Sequence, residues 1–187
     1  MMPNDLEFEA YEKLFWKTKM SMPIWDEFVG EAYASQQASA GRTDRLVEVT
    51  FAPEGRDMSP LSDDEIRSVE WLRDNHALLA EPMLKRLQDE YPALKEQYGY
   101  SKEECDQWMP AVRHLEDFKP LISLQSASVH QVSKNGIPYT GFAFDCTWDQ
   151  EHGLGFLMHD RRIVDFGDTS VAFLLWIAER DVQTAAG

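Results

Sequence analysis

The sequence predicts an α+β domain that ends in an antiparallel β-meander, and three observations carry that prediction. Between residues 121 and 166, runs in which apolar residues alternate with small or polar ones are separated by turn signals, the period-two pattern of half-buried strands. Lys134-Asn135-Gly136 interrupts two of these runs, and Asn-Gly accepts the positive φ angles of a tight hairpin. Upstream, Ser62-Asp63-Asp64-Glu65 is a capping box that opens a stretch with three- and four-residue apolar spacing. Together these predict about four C-terminal strands and one or more N-terminal strands. They pack with a central helical segment and a buried C-terminal helix.

Taken in order, residues 1–45 are poorly patterned. Asn4 or Asp5 is a candidate cap for a short helix carrying Leu6, Phe8, Tyr11 and Phe15. Lys19 to Phe28 reads as extended chain, because Pro23 lacks an amide donor and restricts Met22 to the β region. Ala34 to Asp44, small and polar, reads as a long loop.

Residues 46–120 hold a strand and helices. Leu46 to Phe51 alternates, with Val47, Val49 and Phe51 on one face. The helix behind Ser62 uses Ile66, Val69, Trp71 and Leu72. A second helical stretch carries Leu79, Met83, Leu84, Leu87 and Tyr91, and Pro82 predicts a break between Asn75 and Pro82. Ser101-Lys102-Glu103-Glu104 is a second capping box, opening a helix that ends before Pro110.

Residues 121–181 form the meander and its covering helix. Leu121 to Val132 is a strand with an irregularity near Gln125 to Ser128. Tyr139 to Trp148 follows, with Thr140, Phe142, Phe144, Cys146 and Trp148 on one face and Gly141, Ala143, Asp145 and Thr147 on the other. Leu154 to His159 and Arg162 to Phe166 complete the meander around an Asp160-Arg161 turn. Asp168 or Thr169 then caps an apolar helix from Ser170 to Arg180, and 182–187 is a tail. Residues 1–187 are read as one domain, because 187 residues suffice for one full core and two would be cramped.

Composition narrows the function classes. Hydrophobic residues make up 43% and aromatics 12%, in the globular range. Lys plus Arg is 18 against 33 Asp plus Glu, a formal charge of −15. Such a field repels phosphate backbones and anionic membranes, so neither nucleic acid nor membrane is an expected partner. A basic protein is the partner it would steer. The longest apolar run, Val171 to Ala178, is far shorter than a membrane span, and no signal peptide is visible, so the cytoplasm is the expected compartment. Cys105 and Cys146 have no paired spacing and read as reduced thiols, buried or half-buried. Of the tryptophans, Trp71, Trp108, Trp148 and Trp176 read as core, while Trp16 and Trp25 are candidates for a partner surface.

One turn concentrates reactive residue types. Trp148, Asp149, Glu151 and His152 fall together, His159 lies one strand later and His130 on a neighbouring strand. Carboxylates and imidazoles in one place can bind a divalent metal or exchange protons. The spacing fits no established ligand signature, and no metal or cofactor is assigned. The structural alternative is an Asx bond from Asp149 closing the turn, His152 capping strand ends, and Gly153 and Gly155 admitting close packing by the last helix. Ser123, Ser126 and Ser128 lie near His130, but no nucleophile elbow is present, and no catalytic residue is assigned.

The run Trp148-Asp149-Gln150-Glu151-His152-Gly153-Leu154-Gly155, followed by Met158-His159, resembles a family of bacterial domains of unknown function that share this turn inside a β-meander. The likeness covers Leu46 to Asp181. It departs where the turn after His159 usually holds a Gly and here reads Asp160-Arg161-Arg162. The resemblance implies a cytoplasmic α+β domain with no established activity, and related small acidic domains suggest immunity proteins by analogy. The expected function is therefore a non-enzymatic, immunity-type or regulatory protein-binding module. The alternative is a metal-assisted hydrolase built on Glu151, His152 and His159.

Overall fold

A computed structural model describes residues 6–30 and 46–184. The Ala34 to Asp44 loop, the Asn4 or Asp5 cap and the last three residues of the tail lie outside them. The fold is α+β, as predicted. Seven strands form one sheet among the described residues, and their order in space equals their order in the chain. They are β1 (Glu9–Tyr11), β2 (Phe15–Ser21), β3 (Leu46–Phe51), β4 (Ile122–Lys134), β5 (Ile137–Cys146), β6 (Leu154–His159) and β7 (Arg162–Gly167). Every neighbouring pair is antiparallel except β3 and β4, which run parallel. A parallel pair needs a long crossover, and the chain between Phe51 and Ile122 supplies it as α1 (Asp63–Tyr98) and α2 (Lys102–Trp108).

The N-terminal segment departs from the expected helix. Tyr11 pairs with Phe15 across a three-residue turn in which Glu12 and Lys13 take positive φ of 45° and 60°. Without Gly or Asn there, that turn has no signature to read. The period-two alternation of Trp16, Thr18 and Met20 against Lys17 and Lys19 is the signal that prevailed. Extended chain continues only to Ser21, and Pro23–Trp25 then forms a 3-10 turn. Trp25 is core, not a partner surface. It is 1% exposed and packs edge-on to Phe144 with centroids 4.9 Å apart.

Both capping boxes form as predicted. The Ser62 amide donates to Glu65 Oε2 at 2.8 Å, and the Ser101 amide to Glu104 Oε2 at 2.9 Å. Arg56 also grips Glu65 with two bonds of 2.7 and 2.9 Å, which hold that carboxyl down at about 2. The break expected before Pro82 does not occur, because α1 runs 36 residues through both Pro82 and Pro92. A proline inside a helix costs about 3 kcal/mol. The buried stripe Val69, Leu72, His76, Leu79, Met83, Leu84, Leu87 and Tyr91 runs through Pro82 and up to Pro92, beyond which half-buried Leu94 and Tyr98 pack on the same core. Each large apolar member of it contributes roughly 1.5–3 kcal/mol, so tertiary burial outweighs the local penalty. The carbonyl that loses its partner to Pro82 belongs to Leu78, which is exposed.

The meander agrees closely with expectation. Asn135 and Gly136 adopt φ of 54° and 75°, as a type I′ hairpin requires. The irregularity expected near Gln125 falls between Leu124 and Ser126, and a second register shift, not expected, falls between Val129 and Ser133. Phe142, Phe144, Cys146 and Trp148 face α1 and the main core. Burial pushes the Cys146 thiol up to about 12, so it is an inert core group.

The opposite face of the sheet carries the C-terminal segment. It is a 3-10 turn, Thr169–Ala172, followed by α3 (Leu175–Thr184), and not one helix from Ser170. The reason is tertiary. The Ala172 carbonyl accepts from Ser128 Oγ at 2.5 Å and from His130 Nε2 at 3.1 Å, so it is unavailable to an α-helical ladder. Asp168 caps the 3-10 turn through the Ser170 amide at 2.8 Å. Trp176 is 51% exposed, not core. Helical spacing turns Ile177 and Ala178 inward and leaves Trp176 outside under the Arg180 guanidinium.

Gly141 lies beneath that segment. A Cβ there would overlap the Ala172 carbonyl and Ser128 Oγ. Gly141→Ala is therefore expected to lower stability by about 2–3 kcal/mol, the upper range for overpacking, and to loosen α3. Urea denaturation checks the first outcome and amide exchange in 175–184 the second. A loss below about 1 kcal/mol would contradict this account of the segment's docking.

Candidate functional site

The Trp148–Gly155 turn sits between β5 and β6, against the C-terminal end of α1. Each of its side chains has a local reason for its position. Trp148 is 2% exposed and packs edge-on to Tyr91 with centroids 5.6 Å apart. Its carbonyl accepts from the Tyr100 hydroxyl at 2.6 Å. Asp149 accepts three bonds, from Tyr98 Oη at 2.7 Å, the His152 amide at 2.9 Å and His152 Nδ1 at 3.1 Å. The amide bond is the Asx closure that the turn sequence suggests. The Gly153 amide then donates to the Asp149 carbonyl at 2.9 Å, with Gly153 at φ 64°. A Cβ on Gly153 would press on the Phe144 carbonyl at 2.5 Å, and one on Gly155 would overlap the Asp168 carbonyl. The two glycines thus admit the Thr169–Ala172 turn, whose Thr169 amide donates to the His152 carbonyl at 3.0 Å.

Electrostatics follow the same contacts. Burial pushes the Asp149 carboxyl upward, but Tyr98 and His152 together outweigh it and hold the group below the usual carboxylate range. The bond to Asp149 raises the exposed His152 imidazole above its ordinary value. Burial, then the carboxylate it donates to, raises Tyr98. Asp149 is anionic and engaged at neutral pH.

Glu151 differs. It is exposed, and the interaction it makes within the turn is through its charge, which adds a small upward pull on His152. It helps line an open cleft of about 610 Å³ with Gln97, Tyr98, Tyr100, Trp108, Asp149 and His152. A smaller cleft of about 280 Å³ lies on the other side of Asp149 and His152, toward Leu94, Phe166 and Asp168. Neither lining includes Lys or Arg.

The remaining histidines do not join this turn. His159 closes the far end of β6, where its ring lies 4.7 Å from Tyr139 and its Nε2 donates to the Lys134 carbonyl at 3.1 Å. Five residue steps of strand, about 17 Å, separate it from Leu154 beside the turn. His130 is buried on the face beneath the C-terminal segment. Among the described residues no three of His, Cys, Asp and Glu are grouped so as to hold a metal ion. The structure thus joins Trp148, Asp149, Glu151 and His152 in one place and leaves His159 out.

Tyr98 and Tyr100, which carry no established sequence motif, belong to this place, and so does Trp108, which is half-buried at the cleft and not the core residue expected. Gly99 ends α1 in the left-handed conformation, φ 60°, and turns the chain so that the rings of Tyr98 and Tyr100 stack with centroids 5.8 Å apart. The Tyr-Gly-Tyr run at a helix end was the available signal. Thr147 Oγ1 donates to the Trp108 carbonyl at 2.6 Å, which ties α2 to the same turn. No helix among the described residues is long and apolar enough to cross a membrane. No curated protein and no solved structure matches the chain. A family model matches residues 15–174, and the chain belongs to that family, the domain of unknown function DUF6985.

Proposed function

We propose that the chain is a non-enzymatic protein-binding module, of immunity or regulatory type, that engages a basic protein partner at the cleft beside the Trp148–Gly155 turn. The observation that supports this most is the cleft's charge. Asp149 and Glu151 line it with no Lys or Arg, in a chain of net charge −15. Exposed Glu103 and Asp106 on α2 extend the acidic surface, with Lys102 as the cation of that helix. Such a field accelerates encounter with a cationic surface and rejects anionic ones. The hydrolase alternative loses its third residue, since His159 lies at the other end of β6 from His152.

A polyarginine peptide is a suitable probe. Its affinity should fall several-fold from low salt to about 0.5 M, as the screening length contracts below roughly 10 Å. A Glu103→Gln/Glu151→Gln variant should bind several-fold more weakly. An Asp63→Asn/Asp64→Asn variant, altered about 50 Å away at the other end of α1, should bind like the parent. Equal weakening by both variants would mean diffuse charge attraction and would overturn the assignment to this cleft.

A further inference from the structure

We propose that the cleft between the end of α1, α2 and the Trp148–Gly155 turn is a seat for one guanidinium group, an arginine side chain presented by the partner. This deepens the proposed function and rests on it.

The chemistry of the lining narrows the ligand in steps. Anions are disfavoured, because Asp149 and Glu151 line the cleft and Lys and Arg do not. His152 Nδ1 is already turned to Asp149 at 3.1 Å. A metal ion is disfavoured as well. Asp149 spends its two oxygens on Tyr98 and His152, which leaves Glu151 as the uncommitted carboxylate, and no three-ligand group forms among the described residues. A purely apolar ligand would strand Glu151 and Gln150 against it without partners. An organic cation satisfies what remains.

The aromatic side chains favour a flat cation over a compact one. Tyr98 and Tyr100 are stacked at an interplanar angle of 17°, and each is pinned by its hydroxyl, to Asp149 and to the Trp148 carbonyl. Pinned rings offer fixed faces with little rotamer entropy to lose on binding. Trp108, half-buried and joined to Thr147 through its carbonyl, lines the same space. Guanidinium stacks on aromatic faces through its plane while its edge forks onto a carboxylate, a combination that ammonium lacks. Glu151 supplies the carboxylate, and its exposure lets it close on the group from the cleft rim.

The experiment is an NMR titration of the isotope-labelled chain with Nα-acetyl-arginine methylamide, and with the citrulline analogue as its uncharged isostere. Binding in the millimolar range is expected, with shifts concentrated on Gln97–Tyr100, the Trp108 indole and Gln150–His152. Citrulline should bind at least tenfold more weakly and the lysine analogue several-fold more weakly. Glu151→Gln, which keeps the side chain's shape and removes only its charge, should reduce arginine affinity by fivefold or more, with other shift changes confined to His152. Shifts centred elsewhere, citrulline equal to arginine, or an unaffected Glu151→Gln would each overturn the proposal. If the arginine derivative fails while polyarginine still needs Glu103 and Glu151, the seat is refuted and the proposed function stands. If both fail, both fall.

Discussion

Replacing Trp148 with alanine is expected to lower folding stability by about 3–5 kcal/mol, the range for removing a large buried aromatic. Trp148 is 2% exposed although it borders both clefts, so its indole is their floor and not a displayed surface. Its loss leaves a cavity under Tyr91, whose ring meets it edge-on, and Tyr91 in turn meets Phe118 with centroids 5.3 Å apart. Collapse is restricted because the Trp148 carbonyl stays tied to Tyr100 and the neighbouring Thr147 stays tied to α2. Trp148→Phe should recover a large part of the loss by restoring a ring against Tyr91. Urea denaturation of the three proteins checks this. An alanine cost below about 1 kcal/mol would show that the indole is not the packing centre of the turn. The contrast with Glu151→Gln separates the support of the site from its surface, since the latter should leave stability unchanged.

Acid should destabilise the protein through His130. This imidazole is buried, and its Nε2 faces the Ala172 carbonyl, so Nε2 carries the proton of the neutral ring. Its Nδ1 has no hydrogen-bond partner, and a proton placed there would be buried without an acceptor. Burial therefore lowers the group from 6.5 to about 4, against smaller upward pulls from the Ala172 carbonyl and Glu54. Between those values the unfolded chain binds the proton and the folded chain does not. Stability then rises with pH across this window and is lost as pH falls from about 6.5 toward 4, by about 3 kcal/mol in total. Buried His76 is lowered in the same direction, and depressed carboxylates such as Glu65 and Asp149 also weaken the fold as acid is added. The difference between parent and His130→Gln isolates one site. That difference should slope between pH 6.5 and 4 and be flat above 7. A flat difference throughout would mean that His130 is solvated in the native state.

Local chemistry was legible where it is self-contained. Ser62 and Ser101 announce their helices because a capping box closes within four residues. Asn135-Gly136 announces its hairpin because its side chains permit the backbone that the turn needs. The Glu12-Lys13 turn was hidden for the opposite reason, since ordinary residues there are held at positive φ by the pairing of β1 with β2. The Trp148–Gly155 turn stood out in sequence by residue type. Which of its members meet was beyond that reading, because strand length alone separates His159 from His152.

The sequence by itself determined the fold class, the meander and its turns, the starts of α1 and α2, and an acidic chain. These depend on period-two and three-to-four spacing, on capping side chains and on net charge, all properties of neighbours along the chain. Only the tertiary structure decided that α1 continues through two prolines, that Trp25 is core and Trp176 is not, and that the last helix begins after Ala172. It alone set Tyr98, Tyr100 and Trp108 beside Glu151. Each of these outcomes is fixed by burial or by a bond between residues far apart in sequence. Such interactions, at a few kcal/mol each, override local preferences of similar or smaller size.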